Sequence, residues 1–167
     1  NEYHMRSSRA SPISLREKDV VHLHRCAAGA HVVFIGTSGL PSMVMRGMMM
    51  NSVLNQTFAA HGATSSYILV NVPTNTSAKL SAMMEDHFDK VGGPSACVIL
   101  KYSVAWIGAA CRRRGALVLV DTIDNHRAFS EPTLNNEHYG AMDAIIVQTE
   151  EHAEMVASWG HIGVVLP

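Results

Sequence analysis

The apolar run Ala116–Val120 gives way to Asp121, Asp124, Asn125, His126 and Arg127 within a few residues. Carboxylate and imidazole side chains this close together are the usual source of a general base, and amide and guanidinium groups bind hydroxyls. Asp124 and His126 are therefore the candidate catalytic pair, with Asn125 and Arg127 as candidate substrate contacts. The competing reading makes Asp121 a strand-end cap and Asp124-Asn125 an ordinary turn.

A second stretch, Gly36-Thr37-Ser38-Gly39, precedes Pro41, which suits the first turn of a helix. Flexible backbone with free amides at a helix start can cradle an anion or sugar hydroxyls, so Gly36, Thr37, Ser38 and Gly39 are candidate substrate-binding residues. The stretch is neither G-x-G-x-x-G nor a P-loop, and the second strand ends in Asn71-Val72 rather than in a ribose-binding acid. A phosphoacceptor aspartate at the end of the third strand is replaced by Lys101-Tyr102, read here as rim residues. No cofactor is expected. His22, His24 and Cys26 share metal-ligand spacing but lack an evident fourth ligand, so no metal site is expected either.

The elements that must position these residues alternate along the chain. Apolar runs without period-two alternation fit strands buried on both faces, as in parallel sheets covered by helices. Strands are expected at His31–Ile35, Ser65–Val72, Ala96–Leu100, Ala116–Val120, Ala144–Gln148 and Gly163–Leu166. Helices are expected from Pro41 to about His61, over Ser77–Val91, from a Ser103 cap through Arg114, briefly near Leu134–Ala141, and after a Thr149 cap. The methionines of the first helix read as flexible core filler. Arg112, Arg113 and Arg114 are explained by a helix carboxyl end, where the dipole favours cations. The alternation predicts a doubly wound, six-stranded parallel sheet of Rossmann-like type. The usual order 3-2-1-4-5-6 would make strands one and four neighbours and set the Gly36–Ser42 loop facing Thr122–Phe129 across one crevice.

With 167 residues the chain suits one domain, over 20–167, behind a Ser-, Arg- and Pro-rich flexible arm over 1–19. Thirteen Lys and Arg against fourteen Asp and Glu favour neither nucleic acid nor anionic lipid as a partner. Three widely spaced cysteines, no long apolar span and no signal-peptide pattern predict a cytoplasmic protein with reduced thiols and no membrane span. A start at Asn1 and an end immediately after a strand read as a piece of something longer.

Three segments, VVFIGTSGLPSMVMRG, KYSVAWIGAACRRRGALVLVDTIDN and YGAMDAIIVQTEEHAEMVASWGHIGVVLP, together resemble the amino-terminal half of a glycosyltransferase with the two-domain GT-B fold. The likeness spans roughly His31 to Pro167. It implies sugar transfer from a nucleotide-sugar donor to an acceptor, with this half holding the acceptor and a missing C-terminal domain holding most of the donor. It also implies that Gly36 to Gly39 border the cleft and that Asp124 or His126 contacts acceptor hydroxyls. An apolar patch is expected near Val164–Pro167, on the face that the second domain would cover. The alternative is a noncatalytic Rossmann-like module that binds a ligand or partner.

Overall fold

The computed structural model describes residues 29–70, 77–101, 105–122 and 139–165. The strands are β1 (His31–Thr37), β2 (Thr64–Val70), β3 (Ala96–Leu100), β4 (Leu117–Asp121), β5 (Ala144–Val147) and β6 (Gly163–Val165). Helix α1 opens as a π-helix, Met43–Met48, and continues as an α-helix, Met49–Thr57. Helices α2 (Ser77–Lys90), α3 (Ala105–Arg113) and α4 (Glu150–Ser158) follow. The Ser103 cap, the short helix proposed from Leu134 and the His22-His24-Cys26 set lie outside the described residues.

All six strands are parallel, which confirms the expected α/β class, in the order β2-β1-β3-β4-β5-β6. The expected order 3-2-1-4-5-6 is thus corrected: β3, not β4, is the second neighbour of β1. Either order is built from the same right-handed strand–helix–strand units, so alternation along the chain does not distinguish them. What differs is where the winding reverses. Here it reverses after the first crossover, and the switch point lies between β1 and β3.

Period-two alternation divides the strand side chains between two apolar layers. Val33, Ile35, Cys97, Ile99, Val118, Val120, Ile145 and Val147 face α2, α3 and α4, which contribute Leu80, Met84 and Phe88, then Ile107, Ala110 and Cys111, then Val156. On the other face Phe34, Val98, Leu100 and Ile146 meet Met43 of the π-helical turn, the one methionine of α1 that is core filler as expected. Met45, Met48, Met49 and Met50 are instead exposed, because among the described helices α1 alone covers this face and turns only one side to it. Each large side chain buried this way contributes roughly 1.5–3 kcal/mol. Cys97 and Cys111 are free thiols in the larger layer; their mutual contact and burial push the Cys97 thiol far above its ordinary range.

Helix ends follow the local sequence. Thr149 is extended and its hydroxyl accepts from the His152 amide, with Glu150 and Glu151 in the first turn. Thr149→Ala should lower stability by about 1 kcal/mol in a denaturant melt. At the carboxyl end of α3, Arg112 pairs with Asp143, Arg113 with Glu85, and Arg114 with Glu85 and Asp89. These arginines therefore tie α3 to α2 and to the start of β5. Among the described residues no helix is long and apolar enough to cross a membrane. At the β6 edge Ile162, Val164 and Val165 are exposed; Leu166 and Pro167, the rest of the Val164–Pro167 stretch where an apolar patch is expected, lie outside the described residues.

The amino edge of the sheet carries a polar cluster instead. His31 Nδ1 lies 2.6 Å from Thr64 Oγ1, His31 Nε2 lies 2.8 Å from Ser66 Oγ, and His87 Nε2 lies 2.7 Å from the same Ser66 oxygen. Burial lowers the proton affinity of both imidazoles. His87 lowers that of His31 further, and Lys90 lowers that of His87 against an opposing effect of Asp86. The unfolded chain, with histidines near 6.5, therefore binds more protons below that pH than the folded one. Stability is retained above about pH 6.5 and falls as pH descends through the folded-state values. Urea midpoints at about pH 7.5 and about pH 5.5 should show this loss, and a His31→Gln/His87→Gln double variant should flatten it.

Candidate functional site

Ligands of open α/β sheets bind outside the carboxyl ends of the strands, beside the switch point. At that edge β1 ends in Gly36-Thr37, β3 in Leu100 and β4 in Asp121. The turn after β1 is held at its base by the Ser38 amide, which donates to the Val70 carbonyl 2.9 Å away. Ser38 and Gly39 are exposed, and Gly39 adopts φ +80° with open space where a side chain would begin. This is the accessible part of the predicted cradle.

Gly36 has a different role. It is buried, and a Cβ there would lie 2.5 Å from Met43 Sδ and 3.3 Å from Leu100 Cβ. A Cβ at Gly47 would lie 2.6 Å from Met43 Cε. The thioether of Met43, only 1 % exposed, thus passes between two glycines. Ser42 already has helical dihedrals and makes no side-chain cap bond, so the helix enters from Pro41-Ser42 directly into π geometry. Single π turns inside helices recur at functional sites.

That turn also carries Arg46, whose Nη1 lies 3.2 Å from Asp121 Oδ1. The pair spans the end of β3, since Asp121 is in register with Leu100 and β3 separates β4 from β1. The Asp121 side chain is 7 % exposed and that of Arg46 31 %, so the carboxylate is buried and the guanidinium reaches it from the rim. Thr122 follows, fully buried, its hydroxyl donating to the Ile146 carbonyl. Asp121 is thus engaged at the strand end, as the capping alternative holds, and its partner is a cation from another element.

Lys101 is the one described non-glycine residue with positive φ, at +70°. Its amide donates to the Asp121 carbonyl at 2.8 Å, extending the β3–β4 ladder by one bond before the chain turns. Under the order 3-2-1-4-5-6 Lys101 would stand two strands from β1, at the rim; the observed order places it at the switch point. Left-handed backbone costs a side-chain-bearing residue about 1–2 kcal/mol and clusters at ligand sites. Lys101→Gly should raise stability by up to about 1 kcal/mol in urea unfolding, relief of strain exceeding the entropy glycine adds.

The predicted crevice between the Gly36–Ser42 loop and Thr122–Phe129 is not formed by adjacent strands, because β3 ends between them. Asp124, Asn125, His126 and Arg127 lie outside the described residues. The structure brings Arg46 and the Lys101 backbone to Asp121, with Ser38 and Gly39 at the same carboxyl edge of the sheet; of these, sequence reasoning missed Arg46 and misplaced Lys101. A signal for Arg46 did exist: it is the only Asp, Glu, Lys or Arg between His31 and Ala78. A separate shallow depression along α3 is bordered by Trp106, Ala109, Arg112 and Ala141. It is open to solvent and Arg112 is already paired with Asp143, which leaves the switch point as the better-founded site.

Among the described residues no three His, Cys, Asp or Glu side chains converge as a metal centre. No protein-family model matches the chain, and neither a curated protein nor a solved structure matches it.

Proposed function

We propose that this chain is the acceptor-side part of a glycosyltransferase that moves a sugar from a nucleotide-sugar donor to a hydroxyl-bearing acceptor, donor contacts coming from a second domain. The observation that supports this most is the concentration of polar groups at the carboxyl edge of β1, β3 and β4. There an exposed Ser38-Gly39 turn, the strained Lys101 and the Arg46–Asp121 pair surround one switch point. Hydroxyl, amide and charged groups gathered at one strand edge suit a polyhydroxylated ligand. Asp124 and His126 follow β4 within a few residues and are the proposed general-base candidates, with Asn125 and Arg127 as acceptor contacts.

A noncatalytic ligand-binding module is the second reading. It draws on the engagement of Asp121 with Arg46, which makes that carboxylate a tie between elements. The two separate in an assay of the chain, alone and as its longer reading-frame product, against a panel of nucleotide-sugars and hydroxylated acceptors. Transfer by the longer product, lost in Asp124→Asn or His126→Gln, is the expected result. A folded longer product that binds a saccharide without turnover would favour the module.

A further inference from the structure

We propose that the open edge of β2, with the outward face of α1 beside it, is an interface on which a second copy of this chain pairs antiparallel, joining two sheets into one. β2 is the outermost strand of the described sheet. The Thr64 amide donates to the Ala30 carbonyl, and the Val70 carbonyl accepts from the Ser38 amide. Backbone direction alternates along a strand, so Thr64, Ser66, Ile68 and Val70 turn their polar groups toward β1, while Ser65, Tyr67 and Leu69 turn theirs away. At Ser65 those outward groups are taken by one side chain. Asn55 Oδ1 accepts from the Ser65 amide at 2.6 Å, and Asn55 Nδ2 donates to the Ser65 carbonyl at 3.0 Å. Among the described residues no such clamp stands at Tyr67 or Leu69.

Native edges of this kind usually carry a lysine, a proline, a bulge or an inward charge that keeps other strands off. Thr64–Val70 has no charge and no proline, and it follows β1 in unbroken register. From His31 to Ala78 the one Asp, Glu, Lys or Arg is Arg46, which is engaged with Asp121. No fixed charge on this surface therefore repels an identical surface, and none selects a charged partner or an anionic membrane, for which amphipathic helices carry Lys and Arg. Tyr67 and Leu69 project on the α1 side, since they alternate with Ile68 and Val70 of the opposite core layer. They are 37 % and 41 % exposed, and Val44, Met45, Met48 and Met49 of α1 are exposed as well. A standard interface takes about 800 Å² from each partner, and a strand edge flanked by an apolar helix face can supply an area of that order.

The Asn55 clamp also selects the register. A two-fold axis at Ile68 sets Tyr67 opposite Leu69 of the second copy, each pair exchanging both backbone bonds, and leaves Ser65 with no β2 residue opposite it. An axis at Tyr67 would instead set Leu69 against the occupied Ser65. The Ile68 axis faces an aromatic with an aliphatic side chain in both halves and puts the two α1 helices on the same side of the joined sheet, where methionines adapt to one another. This surface is independent of the function proposed above, which concerns the carboxyl edge.

The test is sedimentation of the full chain from about 1 to about 100 µM, with amide hydrogen exchange at both ends of that range. The expected result is a dimer that dissociates on dilution, with the Tyr67 and Leu69 amides exchanging at least about tenfold more slowly in the concentrated sample. Tyr67→Lys/Leu69→Lys sets like charges opposite each other and should weaken the dimer at least about tenfold, whereas Tyr67→Glu/Leu69→Lys pairs opposite charges and should be the tighter of the two. Both residues are exposed, and circular dichroism establishes that each variant is folded. A chain that is monomeric throughout, a dimer that survives the Lys/Lys change, or equal weakening by both variants would overturn the proposal. So would protection of Tyr67 and Leu69 that does not depend on concentration, which would assign the edge to a segment of the same chain.

Discussion

Met43→Ala is expected to destabilise the protein by about 2–5 kcal/mol, the range for emptying a buried methionine site that cannot collapse. The site cannot collapse readily because its walls are backbone: Gly36 and Gly47 flank the thioether, and Leu100 closes the third side. The converse overpacking has its own cost. Gly36→Ala places a methyl group against Met43 Sδ and should cost about 1–3 kcal/mol, unless the side chain finds another rotamer. Because the two changes act on one volume, they should not add. The Gly36→Ala/Met43→Ala pair, followed by urea unfolding, should be more stable than the sum of the single effects by more than about 0.5 kcal/mol. Strict additivity would show that the methyl group is accommodated elsewhere and that Gly36 is not present for Met43.

The second large effect concerns Arg46. Arg46→Ala removes the guanidinium from a carboxylate that is 7 % exposed, and should cost about 1–3 kcal/mol. The figure is below that for a fully buried pair because Arg46 is 31 % exposed and its charge is partly screened by water. Asp121→Asn should cost less, since it leaves a neutral amide in the buried position and a cation that can turn outward. An Arg46→Met/Asp121→Leu variant, apolar on both sides, should recover much of the stability. Binding of the proposed saccharide acceptor should be weakened in all three, because each disturbs the polar edge at which the proposed function puts it. Chemical denaturation gives the first comparison and ligand-observed NMR the second. Equal stability of the Arg46→Ala and parent proteins would show that the ion pair is a surface contact of no consequence.

The elements themselves were legible in the chain because their causes are local. The unbroken apolar runs Ala116–Val120 and Ala144–Val147 mark strands, fully buried in β5 while Leu117 of β4 is half exposed, and Thr149 with Glu150 and Glu151 marks a helix start wherever it is placed. Helix α2 showed its buried stripe of Leu80, Met84 and Phe88 through four-residue spacing alone. Arg112, Arg113 and Arg114 were readable as a helix end for the same reason, although their acidic partners could not be named from sequence.

Strand order, by contrast, is a long-range choice. It depends on which edge of β1 the second crossover returns to, and the residues that decide this are far apart: Val33 meets Cys97 and Ser66 at once. The same holds for the two polar constellations. Arg46 and Asp121 are 75 residues apart, and His31 and Ser66 are 35 apart, so no local pattern links them. The sequence by itself determined a six-stranded parallel α/β domain and the polar character of its strand ends, because periodicity and capping are properties of neighbours along the chain. Only the tertiary structure decided that β3 stands between β1 and β4, that Lys101 lies at the switch point and that Gly36 makes room for Met43. Those outcomes follow from close packing between distant segments, which only the folded arrangement specifies.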